Sequence, residues 1–278
     1  MEVYMRDVER DLMDMRYLTW TKSRKSSGTA GSFLKAYDDQ GTIKKYYKLS
    51  DYDPVQGIIG HECVNEIIVQ RLMRILGIAH LEYRLIHALV SIENQESETY
   101  LCESEDFKQR GESKIALEDY YLIEKKEGQT PLEFCIERGW AEYIYQMLLI
   151  DYLVLNRDRH GANIEVLRSP KTKSIRLAPL FDQGLSLVCR CHSIDELQRF
   201  DVMEDKRVQA FIGSGSIYHR STYENVKLVP HEVIKALPEL KETDRDILFE
   251  GLGQVLPDTY FEKIWEMIWR RWLSLGNL

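Results

Sequence analysis

Apolar and polar residues alternate through the first third of the chain, and apolar residues recur every three or four positions through most of the remainder. The β-rich runs at 17–21, 32–37 and 43–49 are separated by a Gly/Ser-rich stretch and an Asp-Asp-Gln-Gly turn, so a meander of strands is predicted there. Ile67, Ile68, Leu72, Ile75 and Leu76 then mark one face of a helix over 65–76, which Gly77 would close. Strands are expected at 81–92 and 98–102. Residues 120–124 read as another strand, leading into a crossover at 125–130. Beyond it helices are predicted at 131–138, 141–155, 230–237 and 258–275. The last carries Phe261, Ile264, Trp265, Ile268, Trp269 and Trp272 at spacings of three and four, the signature of a face turned to the core. The pattern defines an α+β chain in two lobes, a β-rich one over 1–126 and a mainly helical one over 127–278.

Composition narrows the function classes. The 278 residues are 44% hydrophobic and 29% charged, an ordinary globular balance with room for two lobes. The net charge of −8 argues against general nucleic-acid binding and against an anionic membrane surface, both of which lean on surplus positive charge. No run approaches the length of a membrane span, and the N-terminal residues carry charges throughout. Five scattered cysteines do not suggest a disulfide framework, so a cytoplasmic location is expected. Cys189, Cys191 and His192 lack a second ligand pair at zinc-site spacing and read as ordinary loop or strand residues.

Candidate chemistry is concentrated in residues 156–163, Asn-Arg-Asp-Arg-His-Gly-Ala-Asn, and in 178–184, Ala-Pro-Leu-Phe-Asp-Gln-Gly. An attacking hydroxyl needs a carboxylate to orient it and accept its proton, and a metal-bound triphosphate needs hard oxygen ligands. Asp158 fits the first role, and Asn163 with Asp182 fits the second. A buried helix would end at Asn156, a loop would carry Asp158 to Asn163, and a hairpin turning at 169–171 would bring Asp182 back beside Asn163. Either motif alone is common by chance. Together, in this order, each at the end of an apolar segment, they point to phosphoryl transfer.

Two features of the first lobe suit the same chemistry. The Gly/Ser-rich stretch around Ser27, Gly28, Gly31 and Ser32 would let backbone N–H groups approach phosphate oxygens, although it is not a Walker loop. Lys48 on the third strand and Glu66 on the following helix hold the places of a phosphate-positioning ion pair. Lys44, Lys45 and Glu62 compete for those roles.

With these residues assembled, the chain resembles the HipA-like serine/threonine protein kinases, known as toxins of bacterial toxin–antitoxin pairs. The resemblance lies in residues 156–163, 177–184, 46–50 and 65–78 and spans about residues 26–216. It implies a two-lobed protein-kinase-like fold, with ATP and magnesium as cofactors. It implies Asp158 as catalytic base, Asn163 and Asp182 as metal ligands, Lys48 on the ATP phosphates and Glu124 in the segment lining the adenine. It also implies a protein substrate, an antitoxin or regulatory partner, and autophosphorylation of the loop at Ser26, Ser27 or Ser32, where a dianion would repel the ATP phosphates. Fuller family members have an extra N-terminal region that contacts the antitoxin, and this chain is expected to lack it.

The order Asp-Arg-His is shared with phosphoinositide lipid kinases, which keeps a lipid or small-molecule kinase open. A non-catalytic nucleotide-binding module is the reading from another class, and an unrelated α+β domain with chance motifs is the third.

Overall fold

The computed structural model describes residues 7–22, 33–214 and 220–278. Ser26, Ser27, Gly28, Gly31 and Ser32 lie outside the described residues.

The first part is built on a six-stranded sheet. Its strands are β1 (Val8–Asp14), β2 (Thr21–Lys22), β3 (Leu34–Asp38) and β4 (Lys45–Leu49), and, past a small hairpin of β5 (Tyr52–Asp53) and β6 (Gly57–Ile58) and helix α1 (Glu62–Ile75), β7 (Tyr83–Ile92) and β8 (Gln95–Glu105). The spatial order is β1-β7-β8-β4-β3-β2, with β1 parallel to β7 and every other pair antiparallel. The predicted meander is present as β2-β3-β4. The strand expected at 17–21 is mostly a turn and irregular backbone, and the strand before it is β1, whose Val-Glu-Arg-Asp-Leu-Met-Asp sequence offers little apolar alternation. An edge strand with an exposed face needs no such alternation.

Alternation assigns the two faces of the sheet. Leu34, Ala36, Tyr47, Leu49, Ile86 and Leu101 form a small core on one side. Leu85 and Cys102 join the main core on the other, against α1. α1 begins three residues earlier than its apolar pattern predicts and is buried nearly all round, including Asn65, Glu66, Gln70 and Arg71. Each of these polar side chains has a partner, as buried polar groups require. Asn65 Nδ2 donates to the carbonyls of Gly184 and Ser186, Gln70 Nε2 to Tyr83 O, and Arg71 pairs with Asp7 at 2.7 Å.

Beyond the sheet come β9 (Ser113–Ala116), α2 (Leu117–Glu124), α3 (Pro131–Glu137), α4 (Ala141–Leu153), the two-residue β10 (Asp158–Arg159), β11 (Glu165–Ser169) and β12 (Ser174–Leu177). The remaining elements are α5 (Ile194–Arg199), β13 (Gln209–Ala210), α6 (Phe211–Ser214), α7 (Thr222–Val226), α8 (His231–Ala236), α9 (Asp244–Phe249) and α10 (Asp258–Leu275). The expected hairpin of β11 and β12 forms, and β9 pairs with its outer edge. Residues 120–124 are helix rather than strand. Leu117, Tyr120 and Tyr121 sit at helical spacing and are buried, with both tyrosine rings packed on Phe134, so tertiary contact overrides the β preference of the aromatics. Among the described residues no helix is long and apolar enough to cross a membrane.

Candidate active site

Lys48 stands in β4 opposite Cys102 of β8, on the face that α1 covers. Its Nζ lies 3.1 Å from Glu66 Oε1 and 2.5 Å from Asp182 Oδ1, joining groups 18 and 134 positions away in sequence. The competing residues are engaged elsewhere. Lys45 has the opposite strand parity and pairs with Glu103 at 3.1 Å; Lys44 lies over the Tyr37 ring; Glu62 accepts from the backbone N–H of Asp51. Neither lysine can therefore substitute for Lys48. If the site takes a nucleotide, Lys48→Met should weaken its binding without rescue, checked by calorimetry with ATP beside Lys45→Met, which should bind as the wild type does.

Lys48 and Asp182 border a cavity of about 220 Å³ whose lining also includes Lys35, Tyr83, Phe107 and Phe181, with the Phe107 and Phe181 rings stacked at 5.7 Å. The chain leaves the large sheet at Glu105, and Glu105, Asp106 and Phe107 line the cavity. Glu124 does not. It ends α2 and pairs with Arg138 at 3.2 Å, because the segment that carries it turned helical. Sequence reasoning passed over 105–107 because a strand exit has no periodicity of its own.

The loop with Asp158 is fixed from below by buried charge. Asp151 sits in the otherwise apolar α4 and meets Arg159, whose Nε and Nη2 lie 3.0 Å from its carboxylate oxygens. Arg159 Nη1 also donates to Phe181 O at 3.0 Å, which ties the loop to the segment before Asp182. Asn156 Nδ2 donates to Asp151 Oδ1 and Gln183 Oε1, both at 2.9 Å, while its Oδ1 accepts from the backbone N–H of Asp158 at 3.0 Å. Sequence reasoning missed Asp151, Asn156 and Arg159. One signal was available, since an Asp within an apolar helical run must find a partner inside. Gly161 has a steric role: a Cβ there would stand 2.4 Å from Glu118 Cβ, so only glycine lets the loop pass the start of α2. Asn163 closes the turn, its Nδ2 donating to Asp158 O at 2.8 Å.

Asp182 has φ of +60°, a left-handed conformation unfavourable for a non-glycine residue. It is held there by its backbone N–H donating to Tyr83 OH at 3.2 Å and by its Lys48 ion pair. Burial raises the Asp182 carboxyl's pKa, but the charge and hydrogen bond of Lys48, with the charges of Lys35 and Arg159, together outweigh it and hold the group well below the ordinary range. Asp158 behaves oppositely. Burial pushes its pKa up, Asp182 adds to the rise, and His160, whose Nε2 lies 3.5 Å from Oδ1, partly opposes it. Two carboxylates in one site thus have divergent proton affinities, the pattern that separates a proton acceptor from a permanently ionised ligand.

The donor set fits magnesium. Asp182 uses one carboxylate oxygen on Lys48, and Asn163 uses only its amide nitrogen in the fold, which leaves a carboxylate oxygen and an amide oxygen, both hard ligands, without hydrogen bonds among the described residues.

A β-rich first part and a helical remainder, with this ion-paired lysine beside the cavity, make a protein-kinase-like fold. The solved structure of the Helicobacter pylori proinflammatory kinase CtkA shares it, with a TM-score of 0.52 at 15% identity over 96% of this chain and 99% of that one. A Shewanella oneidensis HipA, solved with HipB and operator DNA, aligns at a TM-score of 0.46 and 16% identity over 90% of this chain and 66% of that one. A Neurospora crassa PAN3 pseudokinase mutant gives 0.31 and 10%, over 94% and 62%. No protein-family profile and no curated protein sequence matches the chain.

Proposed function

We propose that this chain is a kinase that transfers the γ-phosphoryl group of ATP, with magnesium, to a serine or threonine hydroxyl of a protein. The observation that carries the proposal is the pair of contacts from Lys48 to Glu66 and Asp182, which fold together groups from three distant segments beside the Asp158 loop. In this reading Lys48, held by Glu66, binds the phosphates, and Asp158 accepts the proton of the attacking hydroxyl. Asp182 and Asn163 would hold magnesium, which when bound neutralises charge on the phosphate oxygens. The choice of a protein hydroxyl rests on the resemblance of residues 156–163 and 177–184 to the HipA-like kinases.

The test is incubation with magnesium and γ-labelled ATP, alone and with cell lysate, beside Asp158→Ala. Label on protein that disappears in the variant is the expected result. Label only on lipid or a small molecule would replace the substrate class, and ATP binding with no transfer would make the chain a nucleotide-binding scaffold.

A further inference from the structure

Between the phosphate-side lysine and the Asp158 loop stands one residue with no role in the reading above. Gln183 is fully buried and touches both sides. Its backbone N–H donates to Glu66 Oε2 at 2.8 Å, and Glu66 Oε1 accepts from Lys48 Nζ at 3.1 Å. Its side-chain Oε1 accepts from Asn156 Nδ2 at 2.9 Å, and Asn156 Oδ1 accepts from the backbone N–H of Asp158 at 3.0 Å. An unbroken polar chain therefore runs Lys48, Glu66, Gln183, Asn156, Asp158, with its three middle residues almost wholly shielded from solvent.

Stability does not explain a glutamine here. Its Nε2 is buried with no hydrogen-bond partner among the described residues, and a stranded donor of that kind destabilises a fold. An apolar side chain of similar size would remove the stranded donor. It would strand one Asn156 Nδ2 hydrogen, the other keeping Asp151 Oδ1 at 2.9 Å, and so would leave fewer donors unpaired than the two on Gln183 Nε2. What only the glutamine supplies is the acceptor that joins Asn156 to the residue following Asp182.

The geometry points to Gln183 as a positioning residue that couples nucleotide engagement at Lys48 and Glu66 to the placement of the Asp158 backbone. This inference rests on the nucleotide-binding reading of the same site. When phosphates draw Lys48, the carboxylate of Glu66 and the backbone of Gln183 adjust with it, and Asn156 carries the adjustment to the Asp158 loop. Spatial continuity alone does not demonstrate coupling, so the test must measure it.

Gln183→Leu, with Gln183→Met as the unbranched alternative, is compared with wild type in four measurements: thermal melting, magnesium–ATP affinity by calorimetry, amide hydrogen exchange over 157–163 with and without ATP, and steady-state kinetics. The expected variant melts no earlier than wild type and binds ATP equally well. It loses the nucleotide-dependent slowing of exchange in 157–163, and kcat falls about 2- to 30-fold at unchanged KM for ATP. A variant with wild-type exchange slowing and wild-type kcat overturns the coupling alone. So does one that merely melts earlier, which would make Gln183 a structural residue. A wild-type protein that binds no ATP in the calorimeter removes the nucleotide reading itself, before any variant is compared.

Discussion

Asp158→Ala is expected to lower phosphoryl transfer by roughly 10²- to 10⁴-fold, the usual contribution of a positioned base, without lowering the melting temperature. Loss of function and retained stability follow from the same fact. Burial raises the pKa of Asp158, and the nearby charge of Asp182 raises it further against the opposing His160. A carboxyl whose folded pKa exceeds its unfolded value disfavours the folded state once the pH passes the unfolded pKa, because the charged form is then the less welcome one inside. At neutral pH the alanine variant is relieved of that cost, and the loop keeps its anchor through the backbone N–H of residue 158 on Asn156. The same shift sets a pH profile. In the proposed role of base Asp158 must be deprotonated, so the acid limb of kcat/KM should lie above the ordinary aspartate value of 3.8. A wild-type limb at or below that value, or an active alanine variant, would remove Asp158 from the role of base.

The largest effect on stability is expected at Arg159. Its guanidinium is 2% exposed and meets Asp151, itself nearly inaccessible, through three contacts of 3.0 to 3.2 Å. Burial disfavours the charge of Arg159, and the carboxylate of Asp151, with smaller contributions from Tyr143 and Asp182, more than restores it. Arg159→Met leaves that carboxylate inside with, among the described residues, only the Asn156 amide as partner, and breaking a buried pair in this way costs about 3–5 kcal/mol. Set against a typical total of about 5–15 kcal/mol, this should bring many molecules close to unfolding at body temperature. Asp151→Leu combined with Arg159→Met removes both charges and should recover a large part of the loss in a denaturant melt, because the uncompensated charge disappears. Activity should not return with it, since Arg159 also holds Phe181 O and through it the approach to Asp182. A single Arg159→Met variant as stable as wild type would show that the pair does not anchor the loop.

Much of the fold could be read along the chain, for reasons that differ by element. α10 runs from Asp258 to Leu275, the bounds its aromatic stripe predicts, because one buried face repeated over 18 residues leaves a strong local period. The β11–β12 hairpin was legible from its alternation and its turn. Residues 120–124 were misjudged because a short aromatic run is compatible with either period, and packing on Phe134 decides between them. α1 was placed by its apolar face, but nothing in that pattern says that its polar residues are buried as well. Glu66 could be a candidate only because it follows a strand lysine.

The sequence by itself determined the order of reactive groups, Asp158, Asn163 and Asp182, and the periods of the long elements. These are properties of neighbouring residues. Only the tertiary structure decided that Lys48 rather than Lys44 or Lys45 faces Glu66 and Asp182, that Glu124 lies away from the cavity, and that Asp151, Asn156, Arg159 and Gln183 form the frame beneath the site. The physical reason is that a buried polar group must be paired, while the sequence does not say with which residue. That choice belongs to strand parity and to the crossing of α1, α4 and the 181–186 segment, which meet only when the chain is folded.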